Sequence, residues 1–360
     1  MIPTSSIPLR VSGDIRTIKL TEEMLWWYPW IEDLRHKNIY LNLQLPWKAD
    51  GSYPDAPPPG YEYYITNGDS LMFGWPEHVI DRIDGKIIHL TGALMPYSFD
   101  TDRIRYVPYN GAHKRIQGIV CAEIVKNIQY KASALVKRVS QSKAIIFAAL
   151  IDILDEKDLA VSLNGKSYLD RYVHGVHGWQ LSGNTVCDRY MTMFKDQWLD
   201  KKISLSNDDG VDYSYRNSAY QTAALNFTME SYHYSFMDNG TRSYVEPGPF
   251  LTEKTWKCLL SRTAFIPVGQ MHTYKWLRQL GLKFDYGELD LDFDNEEGNL
   301  SRLEQIVDLI KSLQYWSAQD LYEMTLESTQ HNHELVTSQK FWDVCEQSNT
   351  HAYKILKGLA

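Results

Sequence analysis

Hydrophobic and polar positions divide the chain into a first part of short alternating segments and a second part of helix-periodic ones. Up to about residue 130 the pattern predicts strands over Ile15–Leu20, Ile39–Leu43, Tyr61–Ile65 and Lys86–Leu90, separated by turn residues such as Asp84 and Gly85. The stretch Trp47 to Gly60 carries Pro54, Pro57, Pro58 and Pro59, which remove backbone donors and fix a surface loop. Trp26-Trp27-Tyr28-Pro29-Trp30 reads as a buried corner of this region, with an exposed stacking platform as the alternative.

Near residue 130 the period changes. Ala132–Val136 reads as a strand, Lys137–Lys143 as a polar basic turn, and an apolar helical run begins at Ala144. A second such passage follows, with a strand over Leu225–Glu230, a helix over 253–261 capped by Thr252, and an apolar strand Ala264–Val268, which together make a βαβ unit. Thr273–Leu280 then predicts a helix ended by Gly281, and Leu282–Tyr286 a final strand. Ser301 to Glu304 has the spacing of a capping box, with Leu303, Ile306, Val307, Ile310 and Leu313 on one helix face behind it. Another helix begins near Ser317. A third, Val336 to Leu356, carries a broken apolar stripe of Phe341, Val344, Ala352 and Ile355 and is long enough to return to the first domain.

Composition narrows this to a folded α/β protein. At 360 residues the chain exceeds one ordinary core, so two domains are expected. Hydrophobic residues at 44% and charged residues at 23% exclude disorder, collagen and coiled coil. The longest apolar stretch, Ala144 to Leu154, is too short to span a membrane. Met1 to Ser6 lacks the basic and apolar regions of a secretory signal, so a cytoplasmic location is expected. Cys121, Cys187, Cys258 and Cys345 are far apart and read as reduced thiols rather than a zinc site. A formal charge of -8 removes a uniformly basic surface and leaves local clusters, at Tyr109–Arg115 and Lys131–Lys143, to meet any nucleic acid. Aromatic residues at 13% suit sugar rings and nucleobases alike.

The stretch with most chemistry starts at Thr252. A helix beginning there offers unpaired N–H groups and a positive dipole end to a phosphate, Lys254 adds a full charge, and Glu253 can accept from sugar hydroxyls. The competing reading of Glu253 and Lys254 is an ordinary solvated helix face.

The run FLTEKTWKCLLSRTAFIPVG from Phe250 resembles the Thr-Glu-Lys motif of fucosyltransferase-like glycosyltransferases. It is closer still to a group of virus- and phage-encoded glycosyltransferase-like proteins, through Phe265-Ile-Pro-Val-Gly269, Leu277-Arg-Gln-Leu-Gly281 and the acidic stretch Glu288 to Asp294. Lys137 to Leu150 resembles the basic loop and helix that opens their nucleotide domain, and Phe227-Thr-Met-Glu230 the strand ahead of the motif. The resemblance covers about residues 130 to 315 and implies a GT-B fold, two Rossmann-like domains facing across a cleft. On that pattern residues 1–130 form an acceptor domain, 131–330 a donor domain and 331–360 a helix packing back on the first.

The resemblance further implies that Thr252, Glu253, Lys254, Lys143, Arg138 and Glu230 bind a nucleoside diphosphate sugar, a UDP-sugar among the candidates, as co-substrate with no other cofactor. No metal is expected, since Lys254, Lys143 and the helix end can neutralise the leaving diphosphate; the Asp290–Asp294 spacing reads as a solvated acidic loop, with metal binding as a minor alternative. Where the family carries an Arg for the diphosphate this chain has Lys143, which keeps charge without the bidentate fork.

A base must take the acceptor proton, and Asp69, Asp100 and His113 are the candidates from the first domain, with Asp102 and His89 behind them. His174 and His177 have metal-ligand spacing without visible further ligands. The viral character of the motif puts hydroxymethylated pyrimidine in phage DNA first among acceptors, with Lys114 and Arg115 on its phosphates. A glycan, a small molecule, or a catalytically silent nucleotide-binding protein of the same fold are the alternatives.

Overall fold

The structure, a computed structural model, describes residues 11–43, 57–68, 80–91, 99–100, 103–109, 126–136, 139–164, 183–203, 218–230, 236–238, 243–245 and 248–358. It is α/β and divides into two compact units, residues 1–118 with 246–250 and 342–360, and residues 119–245 with 251–341.

The first unit is built on a six-stranded sheet. Its strands are β1 (Val11–Asp14), β2 (Ile39–Leu43), β3 (Tyr63–Gly68), β4 (Lys86–Thr91), β5 (Phe99–Asp100) and β6 (Ile104–Pro108), in the order β1-β2-β3-β4-β6-β5. The inner four are parallel and the two edges antiparallel. Alternation along each strand feeds two apolar layers, as parallel sheets covered on both faces require. Leu41, Ile65, Ile88, Leu90 and Val107 join Tyr28, Trp30 and Leu34 in one, while Tyr64, Ile87, Ile104 and Tyr106 form the other. Tyr28 and Trp30 are therefore core, with Tyr28 stacked on Tyr109 at 6.0 Å.

The C-terminal helix Gln339–Lys357 delivers Ala352 and Leu356 to the first layer, and the Tyr353 hydroxyl donates to the Asp33 carboxylate. Val344, expected on the apolar stripe, is instead exposed at 39%. The predicted strand Ile15–Leu20 is also corrected. The Asp14 carboxylate accepts from the Arg16 backbone N–H at 2.9 Å and from its guanidinium, which closes a turn where the strand was expected to start.

The second unit carries β7 (Tyr130–Val136), helix α1 (Gln141–Ile153), β8 (Leu159–Asn164), α2 (Thr185–Gln197), β9 (Lys202–Ile203), β10 (Ala223–Met229), α3 (Glu253–Leu260), β13 (Ala264–Val268), α4 (Thr273–Gln279), α5 (Asn299–Ser312) and α6 (Ala318–Val336), with β11 (Phe236–Asp238) and β12 (Ser243–Val245) as a separate hairpin. Its sheet runs β13-β10-β7-β8-β9, parallel except for β9. Read from β9, this is third, second, first, fourth, fifth in chain order, a Rossmann-like order that reverses between β7 and β10.

The apolar run from Ala144 makes α1 a helix buried from Ser142 to Leu150, packed among α2 and α5. Phe147 sits edge-on to Phe194 and Trp198 at its centre. Asn184 caps α2, accepting from the Val186 and Cys187 N–H groups at 3.0 Å, and its amide donates to Glu304 of α5 at 2.8 Å. Ser301 to Glu304 is no capping box, because α5 starts earlier, at Asn299 behind Gly298, and Ser301 lies inside the helix. Asn184→Ala removes both the cap and the tie between the helices, and a loss of about 1.5 kcal/mol in urea unfolding is expected.

The predicted strand Leu282–Tyr286 is not in a sheet, although it keeps a strand's alternation. Leu282, Phe284 and Tyr286 are buried and the residues between them exposed, but the backbone pairs with side chains of α6. Asn332 accepts from the Lys283 N–H at 2.7 Å and donates to its carbonyl at 2.6 Å, and Ser328 repeats the pattern on Asp285 at 3.1 and 2.9 Å. Gly281 ends α4 with φ at 92°, the left-handed conformation glycine adopts without a steric penalty.

At the opposite end of the sheet the Lys126 ammonium donates to the Tyr220 carbonyl and to Thr263 Oγ1, both at 2.7 Å. Burial lowers its pKa to about 7, with Cys258 opposing and Arg262 adding to the shift. The folded state thus holds this proton less tightly than the unfolded chain. The penalty is full below pH 7 and relieved as pH rises toward the unfolded value, so stability should climb by about 2 kcal/mol between pH 7 and 9 from this group. Lys126→Met should remove that slope in urea midpoints measured at the two pH values. Cys187, Cys258 and Cys345 are free thiols. Among the described residues no helix is long and apolar enough to cross a membrane.

Candidate functional site

Reversal of strand order between β7 and β10 makes their carboxyl ends the topological switch point, the place where open α/β sheets receive ligands. The connections leave the two strands in opposite directions, and right-handed crossovers then put α1 and α3 on opposite faces. The packing agrees, since α1 lies with α2 and α5, and α3 with α6.

Every residue of β10 is buried, and alternate positions face α3 with polar groups. Asn226 donates to Ser133 Oγ at 2.8 Å and accepts from Thr228 Oγ1 at 3.0 Å and from the Cys258 thiol at 3.5 Å. Glu230 continues this row beyond the strand end and is 2% exposed. One carboxylate oxygen accepts the Thr252 N–H at 3.0 Å and the other the Thr255 hydroxyl at 2.6 Å. Glu230 therefore holds the first turn of α3 against the end of β10.

Thr252 caps that turn as expected. Its hydroxyl accepts from the Lys254 N–H at 3.4 Å and from the Lys254 ammonium at 3.1 Å. The same ammonium lies 3.5 Å from the Glu253 carboxylate, and both side chains stay partly exposed. Burial by itself would raise the Glu253 pKa, but Lys254, its own backbone N–H and Lys257 outweigh it and hold the carboxyl below its usual range. The result is an ionised carboxylate and a cation side by side at a helix start, a pairing able to take a hydroxyl and a phosphate at once.

Thr252, Glu253, Lys254 and Glu230 thus come together. Lys143 sits in the first turn of α1, after the neighbouring strand, where it is 7% exposed rather than free on a basic loop. Asp100 lies on edge strand β5 of the first unit, in register with Arg105. His89 is interior to β4, edge-on to Tyr106 at 5.6 Å. Asp69, Asp102, His113, Lys114, Arg115, Arg138, His174 and His177 lie outside the described residues.

The acidic stretch is corrected at its end. Asp290 and Asp292 face solvent, but Asp294 is buried and its Oδ2 accepts the Tyr274 and Lys275 N–H groups at 3.0 and 3.2 Å, capping α4. Among the described residues no three His, Cys, Asp or Glu side chains gather as a metal site. Asp294, with His272 and Arg302 around it, forms a buried polar cluster beyond β13 that carries no motif. The one signal in the sequence was a histidine three residues past the strand-ending Gly269, on the carboxyl side of the sheet.

No protein-family model matches the chain, and neither a curated protein nor a solved structure matches it significantly.

Proposed function

We propose that the chain is a GT-B glycosyltransferase, its second unit holding a nucleoside diphosphate sugar at the β7–β10 switch point and its first unit presenting an acceptor hydroxyl. The observation that carries this is the Thr252-Glu253-Lys254 turn, docked by Glu230 at the switch point of a Rossmann half-sheet. A helix start with a cation attracts the diphosphate, and the adjacent ionised Glu253 accepts from ribose hydroxyls.

Chemistry follows from charge. The acceptor oxygen bonds to the anomeric carbon, the bond from that carbon to the diphosphate oxygen breaks, and the acceptor proton passes to a carboxylate or imidazole of the first unit. Asp69, Asp100 and His113 are the candidates for that base. Lys254 and Lys143 neutralise the diphosphate as it leaves.

Hydroxymethylated pyrimidine in DNA is the first acceptor to try, with Lys114 and Arg115 toward its phosphates; the charge of -8 makes a glycan or small molecule the next. The test is mass spectrometry of such DNA and of oligosaccharides after incubation with UDP- and GDP-sugars. A sugar's mass gained by one acceptor class, with release of the diphosphate, is expected. Tight donor binding with neither transfer nor donor hydrolysis would instead mark a silent nucleotide-binding protein.

A further inference from the structure

Past β13 the chain turns through His272, whose backbone is left-handed at φ 64° and ψ 20°. A non-glycine residue there is strained, and such strain persists where surrounding contacts impose it, often at ligand sites. Here the His272 N–H donates to the Asp294 carbonyl at 2.6 Å, clipping the two residues together.

Asp294 is 3% exposed and fixed through Oδ2 by the α4 backbone. Its Oδ1 is shielded from solvent and has no hydrogen-bond partner among the described residues, and the same holds for Nδ1 of His272. Arg302, 1% exposed, is anchored beside them on the Gly269 carbonyl at 3.3 Å, the Glu296 carbonyl at 2.7 Å and Asn299 Oδ1 at 2.8 Å. Two unpaired buried polar atoms in one cluster are costly unless something completes them.

We propose that the His272–Asp294 pair is a hydroxyl-binding subsite that holds the sugar portion of the donor. It rests on the nucleotide-sugar reading of the switch point. β13 adjoins β10, and neighbouring strands lie only ~4.8 Å apart, so a sugar extending from a diphosphate at α3 reaches the next strand end. The chemistry selects a hydroxyl. A phosphate would meet the Asp294 carboxylate and a metal cation would meet Arg302, whereas a sugar hydroxyl donates to Oδ1 and accepts from Nδ1–H, or a vicinal diol serves each in turn. Burial raises the Asp294 pKa to about 6 and lowers that of His272, which leaves a carboxylate and a neutral imidazole at neutral pH. His272 is half-buried, whereas Asp294 is buried.

Calorimetric titration with UDP, GDP, UDP-glucose and GDP-mannose tests this on the full chain. Wild type should bind a sugar nucleotide more tightly than its parent diphosphate. Asp294→Asn and His272→Gly should each lose on the order of tenfold in sugar-nucleotide affinity and leave the diphosphate unchanged. Glycine relieves the left-handed strain, so His272→Gly should fold at least as well as wild type, which separates a binding role from a structural one. Unchanged sugar-nucleotide affinity in both variants, or equal loss of diphosphate and sugar nucleotide, would overturn the subsite. Diphosphates that bind wild type without any gain from the sugar would overturn it alone, and no binding of any diphosphate would overturn the switch-point reading with it.

Discussion

Replacing Glu230 by alanine is expected to cost about 3 kcal/mol of stability and to abolish nucleotide binding together with it. Both effects have one origin. The carboxylate is 2% exposed and is the acceptor for the Thr252 N–H and the Thr255 hydroxyl, whose residues are buried at 7% and 0% exposure. Without it two buried donors lose their partner, and the first turn of α3 is no longer fixed to β10. Urea unfolding reads the first effect. Thr255→Val breaks one of the two bonds, so a double-mutant cycle with Glu230→Ala should return a coupling above about 0.5 kcal/mol. Additive effects would mean that Glu230 does not act through α3.

Lys254→Ala should behave in the opposite manner, leaving stability nearly unchanged while weakening nucleoside diphosphate binding by about 2–3 kcal/mol, roughly thirty- to hundredfold. Its ammonium is partly exposed, and when it is removed Thr252 Oγ1 keeps the Lys254 N–H as donor while the Glu253 carboxylate stays partly exposed. A surface pair of this kind contributes little to folding. Directed at a diphosphate with the helix dipole behind it, the same charge is worth far more. Lys254→Arg keeps the charge but not the compact head, and intermediate affinity in calorimetric titration is expected. Full affinity in Lys254→Ala would remove this residue from the site.

The second unit was legible where local and tertiary forces agree. Thr252, Gly281 and the apolar run from Ala144 each name their element, and the helix over 253–260 and strand 264–268 follow within a residue. Partners beyond the local window were not legible. Leu282–Tyr286 has a strand's alternation, but Ser328 and Asn332 of α6, more than forty residues on, supply its hydrogen bonds. Ser301 to Glu304 has the letters of a capping box, yet α5 already begins at Asn299, two residues before Ser301.

In the site, the Thr-Glu-Lys turn stands out by its resemblance to the glycosyltransferase motif, since its residues alone read equally as a solvated helix face, whereas the docking role of Glu230 depends on the fold bringing strand and helix together. His272 and Arg302 carry no sequence signal, and Asp294 reads only as part of a solvated acidic loop, because burial, not sequence, separates these residues from ordinary surface polar ones; Asp294 looks no different from exposed Asp290 and Asp292.

Hydrogen exchange with and without a nucleoside diphosphate bears most directly on the donor site. If UDP or GDP sits at the switch point, amides of 139–143, at the start of α1, and of 252–256, at the start of α3, should exchange more slowly with ligand present, and Lys254→Ala should erase the effect. Unchanged exchange in both segments with every diphosphate tried, or protection confined to the first unit, would contradict the assignment of the donor to this switch point.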